Sequence, residues 1–189
     1  MKKQKTKQLL LEKGAELMHI KGFHNTGIQE IVNICKVPKG SFYFYFESKE
    51  YFGLELINYF AEKQINEIDK FFNDSTVNSI EKLENYFNHF FEELAKNDYK
   101  GGSFFGNFIQ ELADVNEMFR QGLVIVNEQI VDRFTNLLKE LKPNLSPTET
   151  RKKAELLYFT FEGTVMQVKL YKTLEPAKNL RDYIRDYKV

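Results

Sequence analysis

A single cysteine in 189 residues leaves no internal disulfide, and no Cys/His spacing suits a structural zinc. Tryptophan is absent, and only four prolines and ten glycines interrupt the chain. With 18 Phe and 10 Tyr, that scarcity points to long helices packed on aromatics. No apolar run approaches the roughly 18 residues of a membrane span, and the Lys-rich start leads into no signal-like apolar stretch. Also missing are a Ser/His/Asp or Cys/His set, HExxH, GxxxxGK[ST] and a dinucleotide glycine fingerprint. Glu92-Glu93 and Glu111 with Asp114 read as surface carboxylates, and His19, His24 and His89 have no ligand spacing. The expectation is a soluble cytoplasmic protein, not an enzyme, with no cofactor and no metal. Its length suits one ordinary domain, or one with a small appendage.

Net charge is also lacking: 27 basic side chains balance 27 acidic ones, which excludes an acidic tail and a polycationic coat. The balance hides an asymmetry. Residues 1–50 carry nine Lys, no Arg and five Asp/Glu, hence +4, and the remainder carries −4. Lys2, Lys3, Lys5 and Lys7 precede the first apolar stripe, either as a flexible arm for a polyanion or as a solvated terminus.

Helical periodicity runs through the chain. Leu10, Gly14, Leu17 and Met18 share one face of a helix that Gly22 ends, and Gly14 within it marks a close helix contact. Thr26 is expected to cap a short second helix with Gln29 as capping-box partner, and Ile28, Ile31 and Val32 face its core. The chain turns around Cys35-Lys36-Val37, and Pro38 opens a third helix to about Tyr45. Ser48 caps a fourth to about Phe72. Further stripes predict helices around Ile80–Leu94, Ser103–Leu112 and Phe119–Leu141, then one from Ser146-Pro147 with Glu149 as box partner and a last one from Glu175-Pro176. The Phe42–Phe46 aromatic run resembles a strand by composition, but no second strand exists to pair with it. The fold class is all-α, with about nine helices.

Three short helices with a tight turn between the second and third form a helix-turn-helix unit, whose third helix enters the major groove. Gly22-Phe23, Thr26, Ile28, Ile31, Val37, Lys39-Gly40-Ser41-Phe42-Tyr43-Phe44-Tyr45-Phe46 and Ser48-Lys49-Glu50 together resemble the DNA-binding domain of TetR-family transcriptional regulators. The resemblance implies phosphate contacts by Thr26, Tyr43, Tyr45 and Lys49, with Lys39, Gly40 and Ser41 against bases. It divides the chain into a DNA-binding domain at 1–50 and an effector-binding and dimerisation domain at 51–189. Where the family has Ala-Gly and Ser in the turn, this chain has Cys35-Lys36 and Pro38. A left-handed Lys36 would cost of order 1 kcal/mol or more. Since no arginine precedes Arg120, a bidentate Arg on guanine is excluded, leaving Lys39, shape and thymine-methyl contacts for readout. Phe42, Phe44 and Phe46 are assigned to the core. Cys35 is either a redox switch beside Lys36 and Lys39 or a small buried helix-end residue.

Leu156–Met166 is apolar nearly all round, as a helix buried on two sides would be. Thr160, Gly163 and Thr164 permit a close crossing there, so this helix and the last one form the expected homodimer interface; burial within one chain is the alternative. Gly102–Leu112 resembles a Gly-x-x-x-Gly-Asn stretch of one TetR subgroup. Phe104, Asn107, Phe108, Gln110, Tyr158 and Met166 either line an apolar effector pocket or fill the core. The functional expectation is a ligand-responsive regulator, a repressor, that binds a palindromic DNA operator as a homodimer. The alternative is an all-α sensor or interaction module with a vestigial DNA-binding unit.

Overall fold

Residues that break helical periodicity set the ends of the helices. The computed structural model describes residues 2–187, and every regular element among them is a helix: α1 Lys2–Lys21, α2 Ile28–Cys35, α3 Lys39–Tyr45, α4 Lys49–Phe72, α5 Ser79–Lys96, α6 Phe104–Leu112, α7 Glu117–Leu141, α8 Pro147–Tyr171 and α9 Glu175–Tyr187. Gly22 stops α1 at φ +84°, and its N–H donates to the Met18 carbonyl. The Ser48 hydroxyl accepts from Tyr51 N–H at 3.0 Å at the start of α4. Ser146 and Glu149 close a reciprocal capping box on α8, as Asn78 and Glu81 do on α5.

One detail differs from the sequence expectation, and one alternative left open there is narrowed. Thr26 does not cap α2: the N-cap is Gly27, with no side-chain cap bond. The Thr26 hydroxyl donates to the Gly22 carbonyl at 2.8 Å inside the α1–α2 turn, the residue is fully buried, and α2 begins one residue too late for Thr26 to cap it. Nor does a flexible arm precede the first apolar stripe. Lys and Gln are good helix formers with no breaker among them, so α1 starts at Lys2 and carries Lys5 and Lys7. Lys7 pairs with Glu55 at 3.0 Å; the side chains of Lys2 and Lys3 lie outside the described residues.

The chain divides into two compact units. One comprises the described residues up to Lys63 with Phe104–Ile125, the other Gln64–Ser103 with 126 onward. In the first unit, Phe42, Phe46 and Phe52 meet with ring centroids 4.7–5.2 Å apart. A Cβ on Gly14 would overlap the Phe52 ring, which is the close contact that its place within α1 marks. In the second unit Phe161 is fully buried and stacks on Phe87 at 4.6 Å with the planes 8° apart. Arg185 of α9 grips both oxygens of the nearly buried Glu84 carboxylate on α5, at 2.5 and 2.8 Å.

The turn between α2 and α3 forms with the residues present. Lys36 takes the left-handed conformation, φ 54° and ψ 42°, and its N–H and that of Val37 donate to the carbonyls of Asn33 and Val32. Those bonds close the C-terminus of α2 and offset the cost of a side chain there, about 1–2 kcal/mol. Pro38, extended at φ −61° and ψ 148°, is the N-cap of α3.

Candidate functional site

Helix α3 presents one face to its own core and one to solvent. Phe42, like the following Phe46, is buried without exposure, while Lys39 and Gly40 are exposed, Tyr43 is 49% exposed and Phe44 is 64% exposed. Ser41 and Tyr45 lie half-buried at the flanks. Phe44 therefore does not belong to the core, contrary to the sequence assignment. Positions 42 and 46 are four apart and share a face, whereas 44 lies across the helix from 42. A Cβ on Gly40 would meet nothing within 4 Å, so a flat, open step sits in the middle of the outward face.

Lys49, at the first position of α4, reaches back to the α1–α2 turn. Its Nζ donates to the His24 carbonyl at 3.3 Å and lies 4.6 Å from the Phe23 ring centroid. Desolvation there lowers its pKa from the ordinary lysine value, against the opposing pull of Glu50 and Glu111. Thr26 is buried in the same turn. The expected DNA-binding residues Lys39, Gly40, Ser41, Tyr43 and Tyr45 thus share α3, with Thr26 and Lys49 beside the preceding turn.

That turn has a further anchor, which sequence reasoning missed. The Glu111 carboxylate, near the end of α6, accepts from the N–H groups of Phe23 at 2.8 Å and His24 at 2.7 Å. Both donors are backbone groups 87 and 88 residues away, so no side-chain pattern could have marked the pair. The Asn107 amide of α6 also donates to the His19 carbonyl of α1 at 3.5 Å. Cys35 is buried, its thiol 3.6 Å from the Leu9 carbonyl, and burial pushes that thiol above its usual range. It is a packed helix-end residue rather than an activated thiolate.

The residues assigned to an effector fall in two groups. In the first unit, Phe104 stacks on Phe60 at 3.7 Å and meets the buried Phe108 at 4.0 Å, with Asn107 half-buried and Gln110 exposed on the same helix. In the second unit Tyr158 is buried and Met166 is exposed. Beside Tyr158, the Ser103 hydroxyl donates to Glu162 at 3.0 Å. Burial raises the Glu162 carboxyl above the usual carboxylate range, and its bonds from Ser103 and Tyr158 bring it only part of the way back. The folded protein therefore holds this proton to a higher pH than the unfolded chain does. The resulting stability is complete below the unfolded value near pH 4.3 and is lost as pH rises through the raised folded value. Glu162→Gln is expected to flatten that slope and to unfold at a higher temperature than the parent at about pH 8. Thermal unfolding between about pH 5 and about pH 8 checks this; equal slopes for the two proteins would refute it.

Helix α8 buries Ala154, Leu157, Phe161, Val165 and Val168 against its own unit. Its opposite face keeps Leu156, Phe159, Met166 and Leu170 between 52% and 68% exposed. Thr160 and Thr164 lie on that side, their hydroxyls donating to the carbonyls of Leu156 and Thr160 at 2.6 and 2.8 Å. A Cβ on Gly163 would meet nothing within 4 Å. No helix among the described residues is long and apolar enough to cross a membrane.

Residues 10–55 match the family described as bacterial regulatory proteins, tetR family, and residues 79–184 match the tetracyclin repressor-like C-terminal domain. The chain is 30% identical over 176 residues to the HTH-type transcriptional repressor DhaR of Mycobacterium sp. (strain GP1), covering 90% of this chain and 85% of the relative. It is 30% identical over 169 residues to the transcriptional regulator AcuR of Cereibacter sphaeroides, covering 86% of this chain and 76% of that protein. The crystal structure of regulatory protein TetR from Rhodobacter sphaeroides superposes with a TM-score of 0.84 at 28% identity, over 96% of both chains. An outward helix after a tight turn, in a chain that both halves of one family match, settles the class: this protein belongs to the TetR family of bacterial transcriptional regulators.

Proposed function

We propose that the protein is a ligand-responsive repressor that binds a palindromic operator as a homodimer and is released by a small apolar or amphipathic effector. The outward face of α3 is the observation that carries this. Lys39, Gly40 and Tyr43 stand clear of the protein on a helix short enough to enter a major groove, with Ser41 and Tyr45 at its sides. Lys49 and the turn around Thr26 flank it, where a phosphate backbone would pass. The 1–50 segment then acts as the DNA-reading part, and 51–189 carries the dimer and effector functions.

The α8 face supports a second copy as partner. Its apolar side chains are exposed, Gly163 leaves room for a close crossing, and the hydroxyls of Thr160 and Thr164 already have acceptors and can be dehydrated at little cost. Release follows from α6. An effector that inserts among Phe104, Asn107, Phe108 and Gln110 shifts this helix, and Glu111 carries the shift to the α1–α2 turn that supports α2 and α3. Tyr158 and Met166 are the effector candidates on α8.

Salt dependence tests the DNA-binding part. The two lysines of the site, Lys39 and Lys49, bring about four cations per dimer to the duplex, a log–log slope of about −3.6. Operator affinity should fall about 150-fold between about 50 and 200 mM salt, measured by fluorescence anisotropy. Salt-independent binding, or none to any duplex, would overturn the proposal.

A further inference from the structure

The outward face of α3 exposes an aromatic ring. Phe44 is 64% exposed, in a segment with no arginine and one lysine. An apolar ring this exposed on the outward face offers a surface that an apolar group can cover. The ring is also held in place: Tyr45 meets it edge-on, centroids 4.9 Å apart and planes at 89°. On the N-terminal side, where a helical side chain leans, the residue four earlier is Gly40, with no side chain to cover it. A partner can therefore approach the ring along the bare backbone of Gly40.

In the major groove one base feature is apolar, the 5-methyl group of thymine. We propose that Phe44 reads a thymine methyl in each operator half-site, with Gly40 providing the clearance for the base to reach it. This rests on the operator-binding role set out above. It makes Phe44 a specificity-determining residue, in a helix where the side chains expected to hydrogen-bond bases are Lys39 and Ser41.

The experiment uses the full chain and a site selected from random duplex DNA. Each thymine of the selected site is replaced in turn by deoxyuridine, which differs only by the missing methyl. At one symmetry-related pair of positions the substitution should weaken the parent protein about fourfold per methyl, about fifteenfold for the pair. Phe44→Ala should bind thymine and uracil sites equally, and Phe44→Leu should keep most of the penalty. Indifference of the parent to uracil at every position would overturn the inference while leaving operator binding intact. So would an undiminished penalty in Phe44→Ala, or a Phe44→Ala that changes only the oligomeric state. Failure to select any sequence would instead bring down operator binding itself, and this inference with it.

Discussion

Placing carboxylates on the exposed face of α8, as Phe159→Glu with Leu170→Glu, is expected to convert the protein to a monomer and weaken operator binding by about 10²–10⁴-fold. Both side chains are more than half exposed, so the protomer loses little of its own core. In a symmetric pair each substitution appears twice, and four carboxylates would have to be desolvated against one another. The penalty on operator affinity arises because a linked second half-site binds at high effective concentration, and a monomer forfeits that gain. Analytical ultracentrifugation and operator titration on the same samples read both effects. A variant that stays dimeric would move the interface away from this face. One that becomes monomeric yet binds the full operator unchanged would separate dimerisation from DNA binding.

Much of this architecture is visible in the residues, for identifiable reasons. Ser48, Ser146 with Glu149, and Gly22 act within a few residues of themselves, so local chemistry alone predicts the ends they set; the left-handed Lys36 is suggested only by the family resemblance, since local chemistry disfavours a lysine there. Thr26 shows where local rules stop. Its hydroxyl donates to the Gly22 carbonyl, and α2 begins one residue later than a Thr26 cap requires, with Gly27 as the N-cap. Composition alone places Phe44 in the core, although the helical period that puts Phe42 and Phe46 inside puts it outside. Periodicity likewise marks α6 as half-buried without naming its partner. The compact unit that holds α1 to α3 includes α6, and Glu111, which ties α6 to the α1–α2 turn, binds backbone rather than a complementary side chain.

Glu111 is the second position where a large effect is expected. Its carboxylate accepts two backbone N–H groups, and bonds to a charged acceptor contribute about 1.5–3 kcal/mol each. Solvent can replace part of this at the exposed His24 amide but less at the part-buried Phe23 amide. Glu111→Ala is therefore expected to destabilise the protein by about 2–3 kcal/mol, a fall of about 4–12 °C in Tm for a chain of this size. Operator affinity should fall at least tenfold, because the freed Phe23-His24 turn also holds Lys49 through the His24 carbonyl and supports α2 through Thr26. Glu111→Gln, which keeps one carbonyl acceptor but brings an N–H₂ group against a backbone donor, should lie between the two. Thermal unfolding and operator titration of the three proteins form the test. If Glu111→Ala keeps both its melting temperature and its operator affinity, α6 exerts no hold on the DNA-reading helices, and the release mechanism built on that hold fails with it.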